Sequence, residues 1–188
     1  MPRKIAFAAA AMTAATLFAA VTPASGAALV LGAGLATACS KAALSGRNDL
    51  QSIDNCTQAI ETQAMGPRDR AGTFVNRGIL KLRRASYDDA RADFAYALRL
   101  VPDMGEAYVN WGASLIAENR FAEGLSEIDR GMALGVEEPE KAWYNRGIAY
   151  EALGDPKNAY LSYQQAIALK PEWKEPQLQL TRFSVTRK

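Results

Sequence analysis

The sequence predicts an all-α fold, an α-solenoid of stacked antiparallel helix pairs, and three observations carry that prediction. An aromatic residue, an asparagine two positions on and a glycine four positions on recur as Phe74-Val75-Asn76-Arg77-Gly78, Tyr108-Val109-Asn110-Trp111-Gly112 and Trp143-Tyr144-Asn145-Arg146-Gly147. The glycines lie 34 and then 35 residues apart. A second block follows each segment at a fixed offset: Ala90, Phe94, Ala97 and Pro102, then Gly124, Ile128 and Gly131, then Ala159, Tyr163, Ala166 and Pro171. Within both blocks, large and small apolar residues recur three or four apart, the period of a helix, and the pieces joining them (84–87, 119–120, 154–156) are short and turn-like.

The elements follow in chain order. Residues 1–26 read as a secretory signal: Arg3 and Lys4 form a positive start, 5–20 is an alanine-rich apolar stretch, and 21–27 offers small residues for cleavage. The stretch is shorter than the ~20 residues of a membrane span, and Pro23 and Gly26 interrupt its continuation. Residues 27–70 form an N-terminal segment and a degenerate helical hairpin, 71–104, 105–139 and 140–173 are three full units within 71–172, and 173–188 supplies a capping helix and tail. The cap is expected to run as a helix over 173–185, with Leu178, Leu180 and Phe183 as its apolar contacts, because the last unit of a stack otherwise exposes an apolar face.

Composition narrows the function. Arg3 and Lys4 are the only charges before Lys41, so their removal lowers the basic count from 22 to 20, equal to the 20 acidic residues. A neutral chain lacks the basic excess that binding a phosphate backbone requires, and nucleic acid is not an expected partner. The chain has no histidine, the commonest general base and metal ligand, so no catalytic residues, metal site or cofactor are expected. Gly32-Ala33-Gly34 mimics the start of a dinucleotide fingerprint, but Thr37 stands where its third glycine belongs. Asn55-Cys56-Thr57 fits a glycosylation sequon by chance, on a stretch predicted to be helical. The acids Asp88, Asp89 and Asp93 are read as lying on solvated helix faces.

Export would place Cys39 and Cys56 in an oxidising compartment, where a pair is expected to bridge. An alternative stays open. The run from Leu35 to Cys39 loosely resembles a lipoprotein cleavage box, which would make Cys39 a lipidated N-terminus and attach the chain to a membrane.

Over residues 71–173, the recurring large aromatic, glycine four residues on, alanine, second aromatic, alanine and proline resemble the tetratricopeptide-repeat family. Units one and three carry nearly every signature position. Unit two has Gly124 and Gly131 where alanines are usual, and an extra residue near 134–136, which suggests a looser joint between units two and three. Extending the register backwards places Cys56 at the second-helix aromatic position, Ser40 at the glycine position and Cys39 facing Cys56, with a linker at 65–70 about four residues longer than the family spacing.

The resemblance implies a superhelix whose concave wall is lined by the first helix of each unit, and a non-catalytic function in binding other proteins. The implied groove residues are Val75, Asn76, Ile79 and Arg83 from unit one, Val109, Asn110, Ala113 and Ile116 from unit two, and Lys141, Tyr144, Asn145, Ile148 and Glu151 from unit three. Asn76, Asn110 and Asn145 form a polar rail. An asparagine offers both an acceptor and donors, so it can pair with the backbone of an extended peptide whatever its sequence; it can equally be a locally bonded helix residue. The family's clamp for a C-terminal carboxylate is matched only at Asn110 and Lys141, while Val75, Ile79 and Asn145 depart from it. Trp111 reads as an inter-unit packing residue, and Phe94, Tyr108, Trp143 and Tyr163 as core. The partner is thus expected to be a protein or peptide, met in the bacterial periplasm or at the cell exterior; the alternative is an envelope lipoprotein acting as a scaffold for a membrane-associated machine.

Overall fold

The computed structural model describes residues 5–9, 27–28 and 34–187. Nine helices run in order through the described residues: α1 (Leu35–Leu44), α2 (Leu50–Thr62), α3 (Pro67–Leu82), α4 (Tyr87–Leu100), α5 (Gly105–Ala117), α6 (Phe121–Leu134), α7 (Pro139–Ala152), α8 (Pro156–Leu169) and α9 (Lys174–Leu180). They pack as successive antiparallel pairs, α1 with α2, α3 with α4, α5 with α6 and α7 with α8, and α9 closes the stack against α8. This is the predicted solenoid. No helix among the described residues is long and apolar enough to cross a membrane.

Local chemistry sets the helix ends. Asp49 and Asp155 cap α2 and α8 by accepting from the backbone N–H of Ser52 and Asn158, each at 3.0 Å. The side chain of Gln63, just past α2, accepts from the N–H of Ala36 at 2.8 Å and so satisfies the start of α1. The turn inside each full unit carries one left-handed residue at the equivalent place: Ala85 (φ 59°), Asn119 (φ 63°) and Gly154 (φ 76°). The backbone repeats there although the residue type does not.

The glycines of the repeat are where helices touch most closely. A Cβ on Gly78 would lie 2.4 Å from the ring of Phe94, and one on Gly147 would lie 2.4 Å from the ring of Tyr163. In unit two both helices contribute glycine. A Cβ on Gly112 would stand 2.5 Å from the carbonyl oxygen of Gly124, and one on Gly131 would stand 2.6 Å from that of Gly105. The alanine-to-glycine changes at 124 and 131 therefore act inside the hairpin, drawing α5 and α6 into backbone contact. Two large clusters of buried apolar residues meet at this hairpin, one reaching from Ala27 to Ala113 and the other from Val109 to Ala166, and a small third one joins Ala36 to Ala59 between α1 and α2.

Several expectations are corrected. The joint between units two and three is packed rather than loose: Met132 and Val136 lie against the second cluster, and Arg146 of α7 pairs with Asp129 of α6 at 2.8 Å. The extra residues at 65–70 are not all linker, because α3 begins at Pro67, a residue suited to the first helical turn, and gains a turn before the repeat proper. The terminal helix is shorter than expected. It ends at Leu180, Leu178 is 64% exposed, and Pro176 is its buried residue. Phe183 does pack inward, edge-on to Tyr160 and Tyr163, but from an extended segment.

That segment, β2 (Phe183–Arg187), pairs antiparallel with β1 (Ile5–Ala9), with Ile5 opposite Arg187 and Ala9 opposite Phe183. β1 also lies against α8. Among the described residues the stack thus carries a short two-stranded ribbon between 5–9 and 183–187. Apart from Ile5–Ala9, the expected signal at 1–26 lies outside the described residues, as do Gly32 and Ala33.

Cys39 on α1 and Cys56 on α2 are bonded as a disulfide with Cα atoms 4.9 Å apart, and both are fully buried. The bridge staples a hairpin whose first helix is dominated by small residues and offers little apolar surface of its own.

Candidate partner-binding groove

The first helices of the units, α3, α5 and α7, present the predicted wall, and almost all of it is buried. Val75, Asn76, Ile79, Asn110, Ala113 and Asn145 are fully covered, and Val109, Ile116, Tyr144 and Ile148 are at most 5% exposed. The apolar part of the wall is shared between the two large clusters, Val75, Ile79 and Ala113 in the first and Val109, Ile116, Tyr144 and Ile148 in the second.

The asparagines hold their amides differently. Asn76 Nδ2 donates 3.0 Å to the backbone carbonyl of Ala28, a residue 48 positions earlier. Asn110 Nδ2 donates 2.8 Å to the carbonyl of Glu106, one turn back on its own helix. Asn145 occupies the same place on α7, buried. The side-chain carbonyl oxygens of Asn76 and Asn110 are buried and have no hydrogen-bond donor among the described residues. Such an acceptor costs about 1–3 kcal/mol when left unsatisfied, so both favour any bound group that brings an N–H.

The carbonyl of Ala28 has a second donor. Ser40 Oγ reaches it at 3.0 Å, so Ser40 of α1 and Asn76 of α3 converge on one peptide oxygen. Ser40 is 1% exposed, and Ala27 belongs to the buried cluster that contains Cys39, Ala42 and Ala43. Extending the repeat register put Ser40 at the glycine position against α2, whereas its hydroxyl turns to Ala28. A fully buried serine beside the bridged Cys39 is the signal that could have marked it, since a buried hydroxyl needs a partner.

Other predicted groove residues are engaged elsewhere. Arg83 donates to the carbonyls of Ala43 and Arg47 at 2.8 and 3.2 Å, tying α3 to the end of α1. Lys141 pairs with Glu138 at 2.8 Å. Tyr144 lies under the terminal cap, 4.9 Å from the ring of Trp173 and within 3.4 Å of Gln179 Nε2. Glu151 is held between Arg182 at 2.7 Å and the hydroxyl of Tyr163 at 3.0 Å. Burial, with the charge of Glu151, raises the Tyr163 pKa far above its ordinary value, so the hydroxyl remains the donor to that carboxylate. The third-unit end of the wall is therefore closed by the chain's own C-terminal segment.

Asp93 is not on a solvated face. It is 2% exposed and accepts from Arg77 at 2.9 and 2.7 Å and from Lys81 Nζ at 2.8 Å. This triad locks α3 to α4, whereas Asp88 and Asp89 are exposed as expected. Trp111 packs partly buried against the first cluster, as an inter-unit residue should. Among the described residues no group of histidine, cysteine, aspartate or glutamate is placed to hold a metal ion.

Comparison with known proteins agrees with this geometry. Residues 140–172 match the family model described as Tetratricopeptide repeat. The chain is 28% identical over 133 residues to Tetratricopeptide repeat protein 16 of Homo sapiens; the match takes in 64% of this chain but only 14% of that much longer protein. MamA has the same fold, with a TM-score of 0.60 at 18% identity over 80% of this chain and 82% of that one. The first such domain of Spaghetti (RPAP3), solved bound to the HSP90 peptide SRMEEVD, superposes with a TM-score of 0.57 at 22% identity, covering 61% of this chain and 90% of that one.

Proposed function

This chain is a tetratricopeptide-repeat protein, and we propose that it is a non-catalytic interaction module whose concave wall binds an extended segment of a partner protein. One observation carries the reading: Asn76 already grips a peptide carbonyl, that of Ala28, in the groove. The contact is to backbone, so it carries no demand on side-chain identity, and the carbonyl oxygens of Asn76 and Asn110, which have no donor among the described residues, supply the complementary acceptors. The RPAP3 domain of like fold holds a peptide, which supports the same use of this surface.

The partner segment is read along its length rather than by a terminal carboxylate. Val75 and Ile79 place apolar side chains where a carboxylate clamp needs basic and amide groups, and Lys141 is committed to Glu138. The apolar wall favours a segment with small or aliphatic side chains. The protein works outside the cytoplasm, in the bacterial periplasm or at the cell exterior. The apolar leader with its positive start supports this, and so does the bridged pair Cys39–Cys56. A bridged Cys39 has no thiol left for a lipid thioether, which favours this reading over an envelope lipoprotein.

The test is cross-linking capture from the exported fraction, comparing the native chain with the variant Asn76→Ala/Asn110→Ala/Asn145→Ala. A defined partner captured by the native chain and lost with the triple variant is the expected result. A partner retained unchanged would make the rail structural and move binding to another face.

A further inference from the structure

We infer that the chain carries its own groove ligand: the segment at Ala27–Ala28 occupies a backbone-binding subsite between α1 and α3 and must leave before a partner can fill that part of the wall. This rests on the groove reading above and adds a site, an occupant and a consequence. The subsite is built from Ser40 Oγ and Asn76 Nδ2, which both donate 3.0 Å to the Ala28 carbonyl. Both side chains are at least 99% buried. Two donors from different helices on one oxygen satisfy both lone pairs of a peptide carbonyl, which is how a site recognises backbone rather than sequence.

The neighbouring position explains the choice of segment. Ala27 is 1% exposed and belongs to the buried apolar cluster that also contains Cys39, Ala42, Ala43 and Val75, so its methyl group sits in an enclosed apolar space. The subsite therefore selects a segment with a small side chain at the residue before the one whose carbonyl is gripped. A partner segment meeting that requirement competes directly with the chain's own. The tether makes the competition unequal. An attached ligand acts at a high effective concentration, so an incoming peptide sees only the fraction of molecules whose site is open.

The disulfide belongs to this device. Ser40 follows Cys39 directly on α1, and the Cys39–Cys56 bridge fixes α1 to α2. It holds the hydroxyl in place opposite Asn76 although α1 itself has little apolar side chain with which to pack.

The test uses the full chain and, as probe, a fluorescein-labelled peptide with the sequence of residues 25–34. Ala27→Arg puts a long charged side chain into the small apolar space and undocks the internal segment. The labelled peptide is expected to bind Ala27→Arg about 10-fold more tightly than the native chain, the factor by which affinity falls when only about a tenth of molecules have the site open. Adding Ser40→Ala and Asn76→Ala to that variant is expected to abolish binding. Equal affinity for the native chain and Ala27→Arg, or no binding to either, overturns self-occupancy.

Hydrogen exchange on the native chain gives an answer that does not depend on Ala27→Arg folding. Protection of the amides of Ala27 and Ala28 that is lost in Ser40→Ala/Asn76→Ala is expected, and free exchange of both in the native chain overturns the proposal. Peptide binding that is equal in both chains yet lost with Asn76→Ala would remove self-occupancy alone and leave the groove as a peptide reader. Partner capture indifferent to the asparagines would instead remove the groove reading.

Discussion

Changing Gly131 to Ala sets two physical effects against each other, and the structure decides between them. Gly131 stands within α6, where units one and three carry Ala97 and Ala166 at the equivalent place. Helix propensity alone predicts that alanine there stabilises by about 1 kcal/mol. The added Cβ, however, would lie 2.6 Å from the carbonyl oxygen of Gly105, 2.6 Å from Val109 Cγ2 and 3.0 Å from the backbone nitrogen of Val109. Two of the three neighbours are backbone of α5 and cannot turn aside, so the helices must separate. Such overpacking costs about 1–3 kcal/mol, and contacts this short to backbone put the cost near the upper end. The net expectation is a loss of about 2 kcal/mol, or about 6 °C in Tm for a domain of this size. Thermal and urea unfolding followed by circular dichroism measure it directly. A variant stabilised by about 1 kcal/mol, as propensity predicts, would refute the claim that unit two is held by backbone contact between α5 and α6.

Ala85 is exposed and sits at φ 59°, so Ala85→Gly should relieve about 1 kcal/mol of backbone strain; an unchanged or lowered Tm would contradict it. Removing the carboxylate in Asp93→Ala leaves Arg77 and Lys81 largely buried without their shared partner, and a loss of about 3–5 kcal/mol is expected in chemical denaturation. Reducing the Cys39–Cys56 bridge, which closes a sequence separation of 17, should cost about 3 kcal/mol. A Tm insensitive to reductant would show that α1 and α2 hold together without it. The double variant Cys39→Ser/Cys56→Ser serves as the reference that reductant should no longer affect.

The stack was legible in the sequence because each unit repeats a steric requirement. Gly78, Gly112 and Gly147 recur where a Cβ would strike the opposing helix, and that constraint survives changes in every exposed position. The Cys39–Cys56 bridge was legible for a similar reason, since two cysteines one hairpin apart fall on facing helices. What stayed hidden lacks repetition. Asp93 has Glu127 and Ser162 at its equivalents, so nothing marked it as the centre of a buried triad. The basic pair Arg77 and Lys81, one turn apart on α3, was the sole hint of a shared anion. The end of the cap was hidden because Leu178 and Phe183 fit a helical period until the chain turns at Thr181 and extends into β2.

The groove was half legible. Its wall could be read residue by residue, because it lies on the first helix of each unit. Its cover could not: the segments that cross it, Ala27–Ala28 at one end and the stretch from Trp173 to Arg182 at the other, have no periodicity and are placed by hydrogen bonds to Ser40, Asn76, Tyr144 and Glu151. A repeat pattern predicts a surface, but not which part of the same chain lies upon it.

Photo-cross-linking from two positions distinguishes partner binding on the concave wall from binding on the outer face. One probe replaces Lys141, a half-buried residue on the first helix of unit three, and the other replaces Leu161, an exposed residue on the second helix, α8. Partner adducts are expected to form from position 141, to disappear when Asn76, Asn110 and Asn145 are changed to alanine, and not to form from position 161. Adducts from position 161 that persist in the alanine variant, with none from 141, would contradict this and place binding on the outer face.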